Sequence, residues 1–65
     1  MDSTPNDIIN QYYHLAISDY INGLELEELQ IILFEYEKKE MYLECAGIQR
    51  AIEYIKLMEL INKQL

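Results

Sequence analysis

Apolar residues recur at steps of three and four along most of the chain, the spacing of helices that each bury one side. From Leu24 to Ile55 the pattern reads as two amphipathic helices joined by a short charged turn at Glu37 to Glu40. They form an antiparallel hairpin. One hairpin cannot bury both of its apolar faces, so it needs a third helix from its own chain, a second copy, or a partner.

A third helix precedes the hairpin. Thr4 is suited to accept a hydrogen bond from a free backbone amide, Pro5 to the first helical position, and Asp7 to the positive end of the helix dipole. Asn22-Gly23 tolerates the left-handed turn that closes a helix, so helix 1 is expected over about 5–22. Ile9, Tyr12, Tyr13, Ala16 and Tyr20 share one side of it, and Asn10, His14 and Ser18 form a polar stripe opposite. A tyrosine-rich face suits a partly wet edge, because each hydroxyl must reach water or a partner.

Helix 2 is expected over about 24–39, with Glu25, Glu27 and Glu28 early and Lys38 and Lys39 late, the charge order that the helix dipole favours. Leu26, Leu29, Ile32, Leu33 and Tyr36 make its main stripe; Ile31 and Phe34 project from another side and need cover from helix 1 or from another chain. Helix 3, over about 41–63, carries Met41, Cys45, Ile48, Ile52 and Ile55 on one side. An adjoining side carries Leu43, Gly47, Ala51, Tyr54, Met58, Ile61 and Leu65. So wide an apolar arc must touch two other helices, with Cys45 and Ile52 set against Leu29 and Leu33. Gly47 costs about 1 kcal/mol of helix propensity against alanine, so its place one turn before Ala51 marks a close approach by another backbone. Leu57 and Leu60 lie on a third side, and beyond Ile55 the helix is apolar almost all round.

These elements make a single all-α domain of three helices over residues 1–65, built on the hairpin and expected to be oligomeric. Composition narrows the setting. Hydrophobic residues are 51% of the chain, too many for a disordered segment, and no run of about 18 uncharged apolar residues could span a membrane. One cysteine cannot form an internal disulfide, and the opening MDSTPND lacks an export signal, so a reducing compartment, the cytoplasm or the interior of a host cell, is expected. The net charge of -7 opposes binding to nucleic acid or an anionic membrane. It also lies in the range of about 2 to 8 that merely keeps small domains soluble.

Candidate chemistry is sparse. There is no glycine-rich phosphate loop and no metal-ligand spacing of His and Cys, while Glu27, Glu28 and Glu35 lie on solvated faces. Cys45 sits on an apolar side and His14 on a polar side of different helices, which argues against a nucleophile and base pair. Tyr12, Tyr13 and Tyr20 are not interleaved with basic residues, as stacking on nucleobases would require. No catalytic, cofactor-binding or metal-binding residue is expected, and the protein is not expected to be an enzyme.

The run from Glu40 to Ile52, preceded by the leucine-rich helix with Leu26, Leu29 and Leu33, resembles the UVR motif. Tyr42, Cys45 with Ala46, Ile48 and Ile52 carry the resemblance, whereas Gln49-Arg50 stands in place of the motif's Arg-Asp pair and Leu43 in place of a glutamate. The motif is a short helical hairpin of excision-repair subunits and quality-control adaptors, so the resemblance implies a hairpin that pairs with another hairpin.

The function expected is a non-enzymatic interaction module or adaptor acting through apolar helix faces, with Ile31, Phe34, Tyr54, Leu57, Met58, Leu60 and Ile61 at the interface. Its partner would be another protein or a further copy of itself, in a homodimer or higher oligomer, with neither nucleic acid nor membrane bound directly. One alternative is a small acidic inhibitor or decoy, of phage or mobile-element type, that blocks a nucleic-acid-binding or effector protein. Another is an oligomer that sequesters a small ligand between subunits.

Overall fold

The computed structural model describes residues 4–64, which form three helices and, among the described residues, no strand. They are α1 (Pro5–Ile21), α2 (Leu26–Lys38) and α3 (Tyr42–Gln64). Met1 to Ser3 and Leu65, which the periodicity placed on a face of helix 3, lie outside the described residues.

Local hydrogen bonding sets each boundary. At the start of α1, Thr4 Oγ1 accepts from the Asp7 N–H at 3.2 Å and Asp7 Oδ2 accepts from the Thr4 N–H at 3.2 Å, a reciprocal cap. At its end the Leu24 N–H donates to the Asp19 carbonyl at 2.9 Å and the Gly23 N–H to that of Tyr20 at 3.1 Å. Gly23 takes the left-handed conformation this closure needs, with φ 115°. The closure holds Leu24 outside α2 and leaves Glu25 extended, so α2 begins two residues later than the apolar pattern alone implies. The second turn repeats the device: Met41 N–H donates to the Tyr36 carbonyl at 3.1 Å and Glu40 N–H to that of Glu37 at 3.0 Å. Here the left-handed position, φ 59°, falls on Glu40.

The helices are organised around α3. Leu29, fully buried at 1% exposure, faces Ile48, Ile52 and Ile55 of α3, and Ala16 and Ala51 complete the same core. Cys45 is buried at the α2 side, its thiol directed at the Leu33 carbonyl at 4.0 Å. On the other side of α3, a Cβ on Gly47 would meet the Ile9 carbonyl oxygen and lie 2.9 Å from both Tyr12 Cβ and the Tyr13 nitrogen. The backbone that approaches Gly47 is therefore that of α1. Ile9 to Tyr13 lie beside Gly47 and the Tyr20 hydroxyl reaches Glu59, so α1 and α3 run in the same direction with α2 antiparallel to both.

α1 packs on α3 more extensively than α2 does, and α1 and α2 approach each other least, with the rings of Tyr12 and Tyr36 meeting edge to face at 5.9 Å. The hairpin is thus present, but the larger interface is the one between the first and last helices. At about 1.5 Å per residue, α3 is some 34 Å long against about 20 Å for α2, so its C-terminal part outruns its neighbours. The radius of gyration, 12.5 Å, exceeds the ~10.5 Å of a compact domain of this length accordingly.

Candidate functional site

Side chains with reactive chemistry are dispersed. His14 is exposed on α1 with its ring at 5.2 Å from that of Tyr13, whereas Cys45 is buried between α2 and α3. Burial, aided by the negative charges of Glu37 and Glu44, raises the Cys45 pKa, so the thiol stays neutral and poorly nucleophilic. Among the described residues no group of three or more His, Cys, Asp or Glu side chains gathers to hold a metal ion. No described helix is long and apolar enough to cross a membrane.

What the fold does assemble is an apolar surface at the C-terminal end of α3. Tyr54, Leu57, Met58, Leu60 and Ile61 remain between 40% and 55% exposed. The last turn of α1 adds Ile21, 75% exposed, and half-buried Ile17. Between the two helices runs a groove of about 320 Å³ lined by Ile17, Tyr20, Ile21, Tyr54, Ile55, Met58, Glu59 and Asn62. Two features hold its walls. The Tyr20 hydroxyl donates to Glu59 Oε1 at 2.8 Å, and the rings of Tyr13 and Tyr54 meet edge to face at 6.4 Å. That hydrogen bond, with burial and the Glu59 charge, raises the Tyr20 pKa above that of a free phenol.

The seven side chains expected at an interface do not form one surface. At about 100° per residue, Tyr54, Leu57 and Ile61 lie roughly 140° to 180° around α3 from Ile52, which faces α2. On α2, Ile31 and Phe34 lie roughly 140° to 160° around the helix from Leu29, which faces α3. The two groups therefore point to opposite sides of the molecule. Helix 1 does not fold over Ile31 and Phe34, which stay 59% and 58% exposed. The Phe34 ring instead carries the Lys38 ammonium at 4.6 Å, which partly accounts for an aromatic side chain on an outer helix face.

Ile21 was not among the interface residues expected from sequence. It is the last residue of α1 and off the stripe of Ile9, Ala16 and Tyr20; only its closeness to the Asn22-Gly23 break could have suggested that it would overhang. A second, smaller groove of about 210 Å³ lies between α1 and α2, lined by Tyr12, Leu15 and Asp19 of the one and Ile32 and Tyr36 of the other. Its floor, Leu29 and Ile48, is already buried.

Charge separates along the chain in a way that bears on the larger surface. Ten of the twelve acidic side chains and two of the five basic ones precede Arg50, leaving two acids against three bases in the stretch that carries the apolar face. Comparison with protein families, with curated proteins and with solved structures finds no match to this chain.

Proposed function

We propose that the protein is a non-enzymatic interaction module whose working surface is the C-terminal half of α3 together with the end of α1. The observation that carries this is the contiguous exposure of Tyr54, Leu57, Met58 and Ile61 beside Ile21, in a chain whose reactive groups are dispersed. Fully burying one such side chain is worth about 1.5 to 3 kcal/mol, so leaving several in water is unfavourable unless something covers them. The resemblance of Glu40 to Ile52 to a pairing hairpin supports the same reading. However, Gly47 and Ala51 within that run are occupied by α1, which moves the available surface towards the C-terminal end.

The test is affinity capture from the native cell with the wild-type chain and with a Leu57→Glu, Ile61→Glu variant that keeps its helical circular dichroism. Loss of a captured protein, or of captured copies of the chain itself, in the variant is the expected result. Equal capture by both would refute the surface. The acidic stretch before Arg50 favours a second reading, a small inhibitor that occupies a basic site, and it predicts capture that salt abolishes and the Leu57 variant leaves intact.

A further inference from the structure

Taking the interaction surface above as given, we infer that its occupant is a second copy of this chain, docked with α3 antiparallel to α3 about a two-fold axis near Met58. Tyr54, Leu57 and Ile61 follow one another at steps of three and four, the seam of a helix pair, and Met58 and Leu60 flank that seam on either side. All five are exposed, and none is needed to complete the core of the single chain.

Area and charge both select a second copy. With Ile21, these side chains offer on the order of 500 Å² of apolar surface per chain, the size of the largest patch on a typical monomer. A two-fold contact counts that patch twice and reaches about 1,000 Å², the lower limit for a specific interface. A chain of net charge -7 ought to repel its copies, but the repulsion is weakest here, because the residues from Arg50 onward hold three bases against two acids. Only Arg50 and Glu53, one of each sign, border the seam at its N-terminal end. Glu37, Glu40 and Glu44 stand at the other end of α3. A parallel pair would bring two such ends together, whereas an antiparallel pair crossing near Met58 sets them roughly 50 Å apart, several Debye lengths in physiological salt.

A two-fold contact is also closed. Ile31 and Phe34 face the other way, so the dimer leaves both of its α2 faces free, and a contact of α3 on α2 would instead propagate head to tail.

Light scattering on the full chain tests the inference across a dilution series. The expected mass is that of two chains at about 100 µM, moving towards one on dilution to about 1 µM. Leu57→Glu with Ile61→Glu should weaken the dimer at least tenfold with the helical spectrum unchanged, and Ile31→Glu with Phe34→Glu should leave the mass as it was. Under mild oxidation, Met58→Cys should give a covalent dimer and Arg50→Cys should not; the reverse would overturn the antiparallel arrangement. Masses beyond two chains that Phe34→Glu abolishes would overturn the two-fold contact. A single-chain mass throughout overturns the second copy. If another protein is then captured through Leu57 the interaction reading survives, and if nothing is captured that reading falls as well.

Discussion

At Gly47 the absence of one methyl group sets the distance between α1 and α3. Alanine there would gain about 1 kcal/mol of helix propensity, but its Cβ would meet the Ile9 carbonyl, Tyr12 Cβ and the Tyr13 nitrogen, mostly backbone that cannot turn aside. Separating the helices costs more than the propensity returns, and Gly47→Ala should lower stability by about 1 to 3 kcal/mol in urea denaturation. An unchanged or raised midpoint would mean that α1 is not seated on Gly47. A mid-helix glycine one turn from an alanine was enough to expect a close approach; which helix would approach was not, since the apolar stripes of helices 1 and 2 are equally suited to it.

Two other residues set a pH dependence. Tyr20, through its hydrogen bond to Glu59, and Cys45, through burial, both hold their protons more tightly folded than unfolded. Their contribution to stability is complete below the ordinary thiol and phenol pKa values and is lost as pH rises through the raised ones. Stability should therefore fall on the alkaline side, and Glu59→Gln should bring the Tyr20 absorbance titration back towards that of a free phenol. A titration that ignores Glu59 would remove this cause.

Among the elements, α2 is the weakest on its own. Its 13 residues are about the least that form a helix in water, its N-cap Glu25 makes no side-chain cap, and its C-terminal turn puts Glu40 at φ 59°. A residue with a Cβ in that conformation is strained by about 1 to 2 kcal/mol. Glycine relieves the strain and loses part of the gain in unfolded-state entropy, so Glu40→Gly should stabilise by about 0.5 to 1 kcal/mol in thermal unfolding. A lower melting temperature would show that the Glu40 side chain has a role in the turn. The stripe of Leu26, Leu29, Ile32, Leu33 and Tyr36 was legible because its period is helical. The start of α2 was not, because Leu24 belongs to the apolar pattern while its N–H is committed to Asp19. For α3, the wide apolar arc correctly implied two neighbours. The same arc could not say where they stop, since that depends on the lengths of α1 and α2 and on the angle between them.

In the whole molecule, most of the acid carried before Arg50 lies on α1, α2 and the start of α3. Such crowding opposes the folded state through like-charge repulsion, which salt screens over about 10 Å at 0.1 M. Raising ionic strength from about 10 to 150 mM should raise the melting temperature. A fall would mean that local attraction, such as that of Lys38 to Phe34, outweighs the repulsion. Sequence also left Ile31 and Phe34 grouped with the end of α3 as one interface; only the direction in which α2 turns its buried face separates them.

The parallel run of α1 and α3 has a consequence for synthesis. The contact between Tyr20 and Glu59 spans 39 residues, and the whole of α2 lies between the two helices it joins. α1 is translated before the surface it docks on exists. At about 5 to 20 residues per second, some 2 to 9 seconds pass before α3 is complete, and throughout that interval the tyrosine face of α1 can meet only α2, through the Tyr12 and Tyr36 rings. α1 can seat fully only once α3 has been made, and its three phenol hydroxyls, which water satisfies as well as protein does, are suited to that wait.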